Sequence, residues 1–179
     1  HREYPIPFSI LNKGENVLAV RVYDEAGPGG IYNGKVGVYS RRSFPLVQNF
    51  TGFWKFSPGD HLDWKNVEYN DNQWSEVMVP GKWENQDYPL LDGFAWYRKE
   101  IQMPPNKRKE HFIMVLGYID DQDEVYLNGQ MIGHTGRSPI GSSSDNYSTR
   151  YRFYYIPPSL IKWGSKNIIA IRVYDRGGA

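Results

Sequence analysis

Glu124-Val125-Tyr126-Leu127-Asn128-Gly129-Gln130-Met131-Ile132-Gly133 decides the fold. Two short runs of strand-forming residues flank Asn128-Gly129, a pair that tolerates the positive φ of a type I′ turn, so the stretch predicts a tight β-hairpin. Outward from it the chain keeps the same grammar. Ala95-Trp96-Tyr97-Arg98-Lys99-Glu100-Ile101 alternates and stops at Met103-Pro104-Pro105, while the continuous apolar run 112–116 predicts a strand buried on both faces. Phe53-Trp54-Lys55-Phe56 is a short aromatic strand ended by Pro58-Gly59, and residues 150–156 alternate up to Pro157-Pro158. The expectation is an all-β, antiparallel sandwich.

Composition narrows the function classes. The 179 residues hold one ordinary domain and its attachments, too few for a complete large catalytic barrel. With 21 Lys and Arg against 20 Asp and Glu, the net charge of +1 gives no field that would gather nucleic acid or an anionic membrane surface. Cysteine is absent, which removes disulfides, thiolate nucleophiles and Cys-based zinc sites. The 14 Tyr and 6 Trp suit strand cores and sugar-stacking surfaces alike. No Gly-x-Ser-x-Gly elbow and no short histidine spacing point to a nucleophile or metal centre.

The sequence also repeats. Arg2-Glu3-Tyr4-Pro5-Ile6-Pro7 matches Arg152-Phe153-Tyr154-Tyr155-Ile156-Pro157, and Gly14 matches Gly164. After one inserted residue, Asn16, Ala19 and Arg21-Val22-Tyr23-Asp24 match Asn167, Ala170 and Arg172-Val173-Tyr174-Asp175. Leu18, Val20 and Val22 alternate in phase with Ile169, Ile171 and Val173, which predicts equivalent half-buried strands. Residues 1–43 then read as the C-terminal tail of a preceding jelly-roll repeat, and 46–179 as a jelly-roll module lacking its last strand. The strand candidate at 31–39 is expected to fill the open edge, in the same molecule or in a strand-swapped homodimer formed through 1–43.

Pro80-Gly81-Lys82-Trp83-Glu84, Asp92-Gly93-Phe94-Ala95-Trp96-Tyr97-Arg98-Lys99, Leu116-Gly117-Tyr118-Ile119-Asp120-Asp121 and Glu124-Val125-Tyr126-Leu127-Asn128-Gly129 occur in an order that resembles the jelly-roll, galactose-binding-like module of glycoside hydrolase family 2. The order is equally similar to the related module of sialate O-acetylesterases. The resemblance implies a β-sandwich without catalytic machinery of its own, carried by a secreted or periplasmic carbohydrate-active hydrolase. A glycan or the parent's catalytic domain is then the implied partner. It also implies a substrate-shaping role for the segment His134-Thr135-Gly136-Arg137. Fold alone does not settle which of these holds.

Two stretches carry chemistry. Trp83-Glu84-Asn85-Gln86-Asp87-Tyr88 joins an aromatic plate to amides and carboxylates, the mixture that stacks a sugar's C–H face and binds its hydroxyls. Trp83, Glu84, Gln86 and Tyr88 are therefore candidate glycan contacts, joined by Tyr118 and Arg137 near predicted loop tips. The same loop also reads as a Trp plugging the sandwich end. Asp120, Asp121, Asp123 and Glu124 crowd four carboxylates into five residues. They read as strand-start carboxylates meeting Arg98, Arg137 or Arg150, or, through Asp120, Asp121 and Asp123, as ligands of a structural Ca²⁺. No other cofactor is expected. A glycosidase acid and nucleophile pair is disfavoured, because adjacent strand positions point to opposite faces.

Overall fold

Strand pairing in the computed structural model, which describes residues 12–22, 48–105, 112–142 and 145–177, follows the alternation along the chain. The chain divides into two units, residues 1–47 and 48–179. The second contains eight strands among the described residues: β1 Gly52–Pro58, β2 Ser75–Val79, β3 Gly93–Gln102, β4 Phe112–Tyr118, β5 Gln122–Leu127, β6 Gln130–Thr135, β7 Tyr151–Ile156 and β8 Lys166–Asp175. Six form one sheet in the order β2-β1-β3-β8-β5-β6, and β4 and β7 form a second, with every pairing antiparallel. This is the expected all-β sandwich.

The central pair is β3 with β8, in register from Gly93 opposite Asp175 to Gln102 opposite Lys166. Its inner face carries Ala95, Ile101, Ile169, Ile171 and Val173, which join Trp54, Phe56, Met114 and Tyr154 in the core. The outer face is covered as well. The long connection between β1 and β2 lays Trp64 and Trp74 over Trp96, Tyr126 and Ala170. That connection wraps around Arg98, which is 1% exposed: its guanidinium donates to the carbonyls of Trp64, Asn66 and Tyr69 and to the Asp71 carboxylate. Because both faces are covered, β5 is buried at every position and shows no alternation in burial.

The hairpin forms as read, with Asn128 at φ 51° and Gly129 at φ 82° between β5 and β6. Asn128 does more than turn. Its side chain accepts from the Ile168 N–H (2.9 Å) and donates to the Leu160 carbonyl (2.8 Å), tying the hairpin to the start of β8.

Two strand expectations need correction. The run 112–116 is not buried on both faces: Phe112 and Met114 point inward, while Ile113 is 38% and Val115 51% exposed. Its sheet has only β7 beside it among the described residues, and nothing there covers the outer side. Residues 15–22, expected as a half-buried strand, are not a strand, and Val17, Leu18, Val20 and Val22 are exposed. An alternating apolar pattern makes a strand only where a neighbour accepts its backbone bonds and covers one face. The rest of that expected strand, and the segment 31–39, lie outside the described residues.

One local feature does recur. Asn16 accepts from the Asn12 N–H and donates to the carbonyls of Asn12 and Gly14. Asn167 accepts from the Lys162 N–H and donates to the carbonyls of Lys162 and Ser165. The same Asn-centred ring thus stands at Asn16 and at Asn167, one residue wider at the second.

Candidate functional site

A cleft of about 450 Å³ opens at one end of the sandwich, between the two sheets. Its walls are Trp54, Tyr97, Ile171 and Val173 of the large sheet and Leu116 and Tyr118 of β4, and its mouth carries Lys82, Glu84 and Asp120 with Asp175. Antiparallel pairing places these groups. β8 ends at Asp175 opposite Gly93, and the Asp121 N–H donates to the Tyr174 carbonyl (3.0 Å), which anchors the segment leading into β5 beside that strand end. Asp121 then accepts from the Arg176 N–H at 3.2 Å, and Asp175 from the Gly177 N–H at 2.7 Å. Carboxylate oxygens of Asp120, Asp121 and Asp175 consequently lie within 4.8 Å of one another.

The electrostatics follow from that crowding. Desolvation, then the hydrogen bond and charge of Asp121 and the charge of Asp175, lift Asp120 to about 6, with Lys82 pulling the other way. Asp175 is also raised, first by desolvation and further by Asp121, Asp92 and Glu84, against the Gly177 N–H that favours its ionised form. On the opposite wall, burial and then Glu84 raise the Tyr97 phenol.

The other acidic residues of the run are used elsewhere. Asp123 is fully buried, bound by Arg152 Nε at 2.7 Å and by the Tyr154 hydroxyl. Burial raises its carboxyl, and Tyr154 and Arg152 only partly offset this. Arg152 also donates to the carbonyls of Asp121, Tyr147 and Arg150. Glu124 meets Arg172 (2.9 Å), which also clamps Asp60 through two bonds. The arginine partners are thus Arg152 and Arg172, not Arg98, Arg137 or Arg150. Arg98 is held by Asp71, Arg137 pairs with Asp145 at 3.0 Å, and the Arg150 guanidinium sits over the Tyr147 ring. Of the three acids expected together, Asp123 has both oxygens engaged, and Asp175, from a strand far away in sequence, stands beside Asp120 and Asp121 instead.

The loop expected to carry the sugar plate packs largely inward. Trp83 is 5% exposed and packs inward, its ring stacked on Tyr97 (6.5 Å, 12°) and tilted on Phe56. Gln86 is consumed by the backbone of Met78 and Lys82. Tyr88 sets its ring edge-on to Phe56. The loop closes the sandwich end, and through Trp83 and Glu84 it also lines the cleft. Glu84 does reach the cleft, as does Tyr118, which is 68% exposed and edge-on to Tyr151. Arg137 is 70% exposed but lies away from the cleft lining, and Thr135 hydrogen-bonds the Tyr154 hydroxyl at 2.8 Å. Trp83, Glu84 and Tyr118 are the candidate glycan contacts that line the cleft together.

No family model matches the chain. A β-glucuronidase of Formosa agariphila is 27% identical over 145 residues, covering 72% of this chain and 14% of its own length. The β-galactosidase BoGH2A of Bacteroides ovatus is 27% identical over 137 residues, 70% of this chain and 15% of its own. Among solved structures, a glycosyl hydrolase family 2 member from Bacteroides cellulosilyticus superposes with a TM-score of 0.60 at 21% identity, over 73% of this chain and 18% of that one. A β-glucuronidase from glycoside hydrolase family 2 gives 0.59 at 25% identity, over 73% and 14%. The chain therefore spans about one seventh of the length of the curated relatives it matches.

Proposed function

We propose, taking residues 48–179 as a sandwich module of the glycoside hydrolase family 2 type, that it is a non-catalytic support within a larger hydrolase of carbohydrates that works outside the cytoplasm. The observation that carries this is the internal use of its charged side chains. Asp123, Glu124, Arg98, Arg152 and Arg172 are buried and paired with one another, with Asp60 and Asp71, or with backbone carbonyls. Groups spent on holding a sheet together are not available to bind or transfer protons to a substrate.

Asp120, Asp121 and Asp175 also stand too close together for the carboxylate pair of glycoside hydrolysis. Separations within 4.8 Å fall short of the roughly 5–5.5 Å of a retaining pair and the roughly 6.5–9.5 Å of an inverting one. On this reading the isolated chain turns over neither aryl glycosides nor acetyl esters, and a spectrophotometric assay of both substrate types checks it. The Asn-centred ring shared by Asn16 and Asn167 supports reading residues 1–43 as the tail of a like repeat, with 46–179 as the following module.

A second reading, glycan contact at the cleft, is favoured by one observation: Tyr118 presents an exposed ring beside the polar groups of Glu84 and Asp120. It predicts quenching or enhancement of intrinsic fluorescence by a glycan from a broad panel, and loss of that response in Tyr118→Ala with the fold intact. Silence across the panel leaves the support role alone.

A further inference from the structure

The carboxylate cluster at the end of β8 carries a buried oxygen that no donor among the described residues satisfies. Asp121 is 2% exposed; one of its oxygens takes the Arg176 N–H, and the other, Oδ1, is buried without a hydrogen-bond partner among the described residues. A buried carboxylate oxygen left unpaired is costly, and here it sits among further negative charge from Asp120 and Asp175, with Asp92 and Glu84 acting on Asp175.

We infer that Asp120, Asp121 and Asp175 hold a hard divalent cation, Ca²⁺ in preference to Mg²⁺. Carboxylate oxygens are the donors such ions take, and a span of up to 4.8 Å is what two oxygens make across an ion at about 2.4 Å. Mg²⁺ demands near-ideal octahedral geometry and is usually held by one or two carboxylates, whereas three gather here. The ligands are held from outside the cluster: Asp175 by the Gly177 N–H, and the Asp121 backbone by Tyr174. An ion here would pin the segment leading into β5 to the end of β8, next to the cleft and independently of whether the cleft meets sugar.

The test is calorimetric titration of the EDTA-treated full chain with CaCl₂. The expected result is a one-site isotherm with a Kd on the order of 10⁻⁴ M, weakened at least tenfold in Asp120→Asn and in Asp175→Asn and unchanged in Asp145→Asn, which alters an exposed carboxylate outside the cluster. Mg²⁺ should bind at least tenfold more weakly than Ca²⁺. Both cluster variants remove repulsion and are expected to stay folded by circular dichroism; Asp120→Ala, at the exposed corner, serves if either does not. No saturable heat up to about 10 mM Ca²⁺, or wild-type affinity in the folded cluster variants, would overturn the proposal in favour of a proton shared between Asp120 and Asp121.

Discussion

Arg152 shows how much one side chain carries. Replacing it with methionine would leave Asp123 buried with only the Tyr154 hydroxyl, and would strip donors from three backbone carbonyls. We expect a loss of about 3–5 kcal/mol in urea unfolding, as for other buried charges robbed of their partner. Trp83→Ala is expected to cost a similar ~3–5 kcal/mol, because the ring fills the sandwich end against Tyr97 and Phe56. The sequence offered no way to separate a plug from a plate: the same Trp with amide and acid neighbours serves either. Likewise, four acids within five residues announced a charged cluster, but their partners Arg152, Arg172 and Asp175 are set by strand pairing at long range. Trp83, Glu84 and Tyr118 do line one cleft, but which strands wall it depends on pairing that no local signal records.

At the scale of elements, local backbone chemistry made most of the architecture readable. Asn128-Gly129 needs positive φ at both positions, and few other pairs supply it. Asn128→Gly keeps the turn but loses the side-chain bonds to Ile168 and Leu160, whereas Asn128→Ala loses both. The alanine variant should therefore be less stable than the glycine variant by about 1 kcal/mol in thermal unfolding. In β4, Met114→Ala is expected to cost about 2–5 kcal/mol and Val115→Ala under about 0.5, since only the first faces the core. That half-exposure was not readable, because a continuous apolar run does not record which side a neighbour covers. In β3, β5 and β7, burial raises the phenols of Tyr97, Tyr126 and Tyr154. Below the ordinary tyrosine value near 10 these groups are neutral in both states and the stability is intact. Above it the unfolded chain ionises first, so stability falls as pH rises toward the folded values, and phenolate absorbance from these three should appear only with unfolding.

For the whole molecule, the consistent theme is a sandwich that uses its charges to hold itself together. Arg98 gathers the long connection after β1, Arg172 fastens β8 to β5 and to Asp60, and Arg152 bolts β7 under β5. The curated relatives are several times longer than this chain, in keeping with the supporting role proposed above. The most direct test is turnover by the purified 179-residue chain of a panel of aryl β-glucuronides and β-galactosides. We predict release no faster than in buffer. Hydrolysis at enzymatic rates that disappears in Asp120→Asn or Asp175→Asn would contradict the account at its centre.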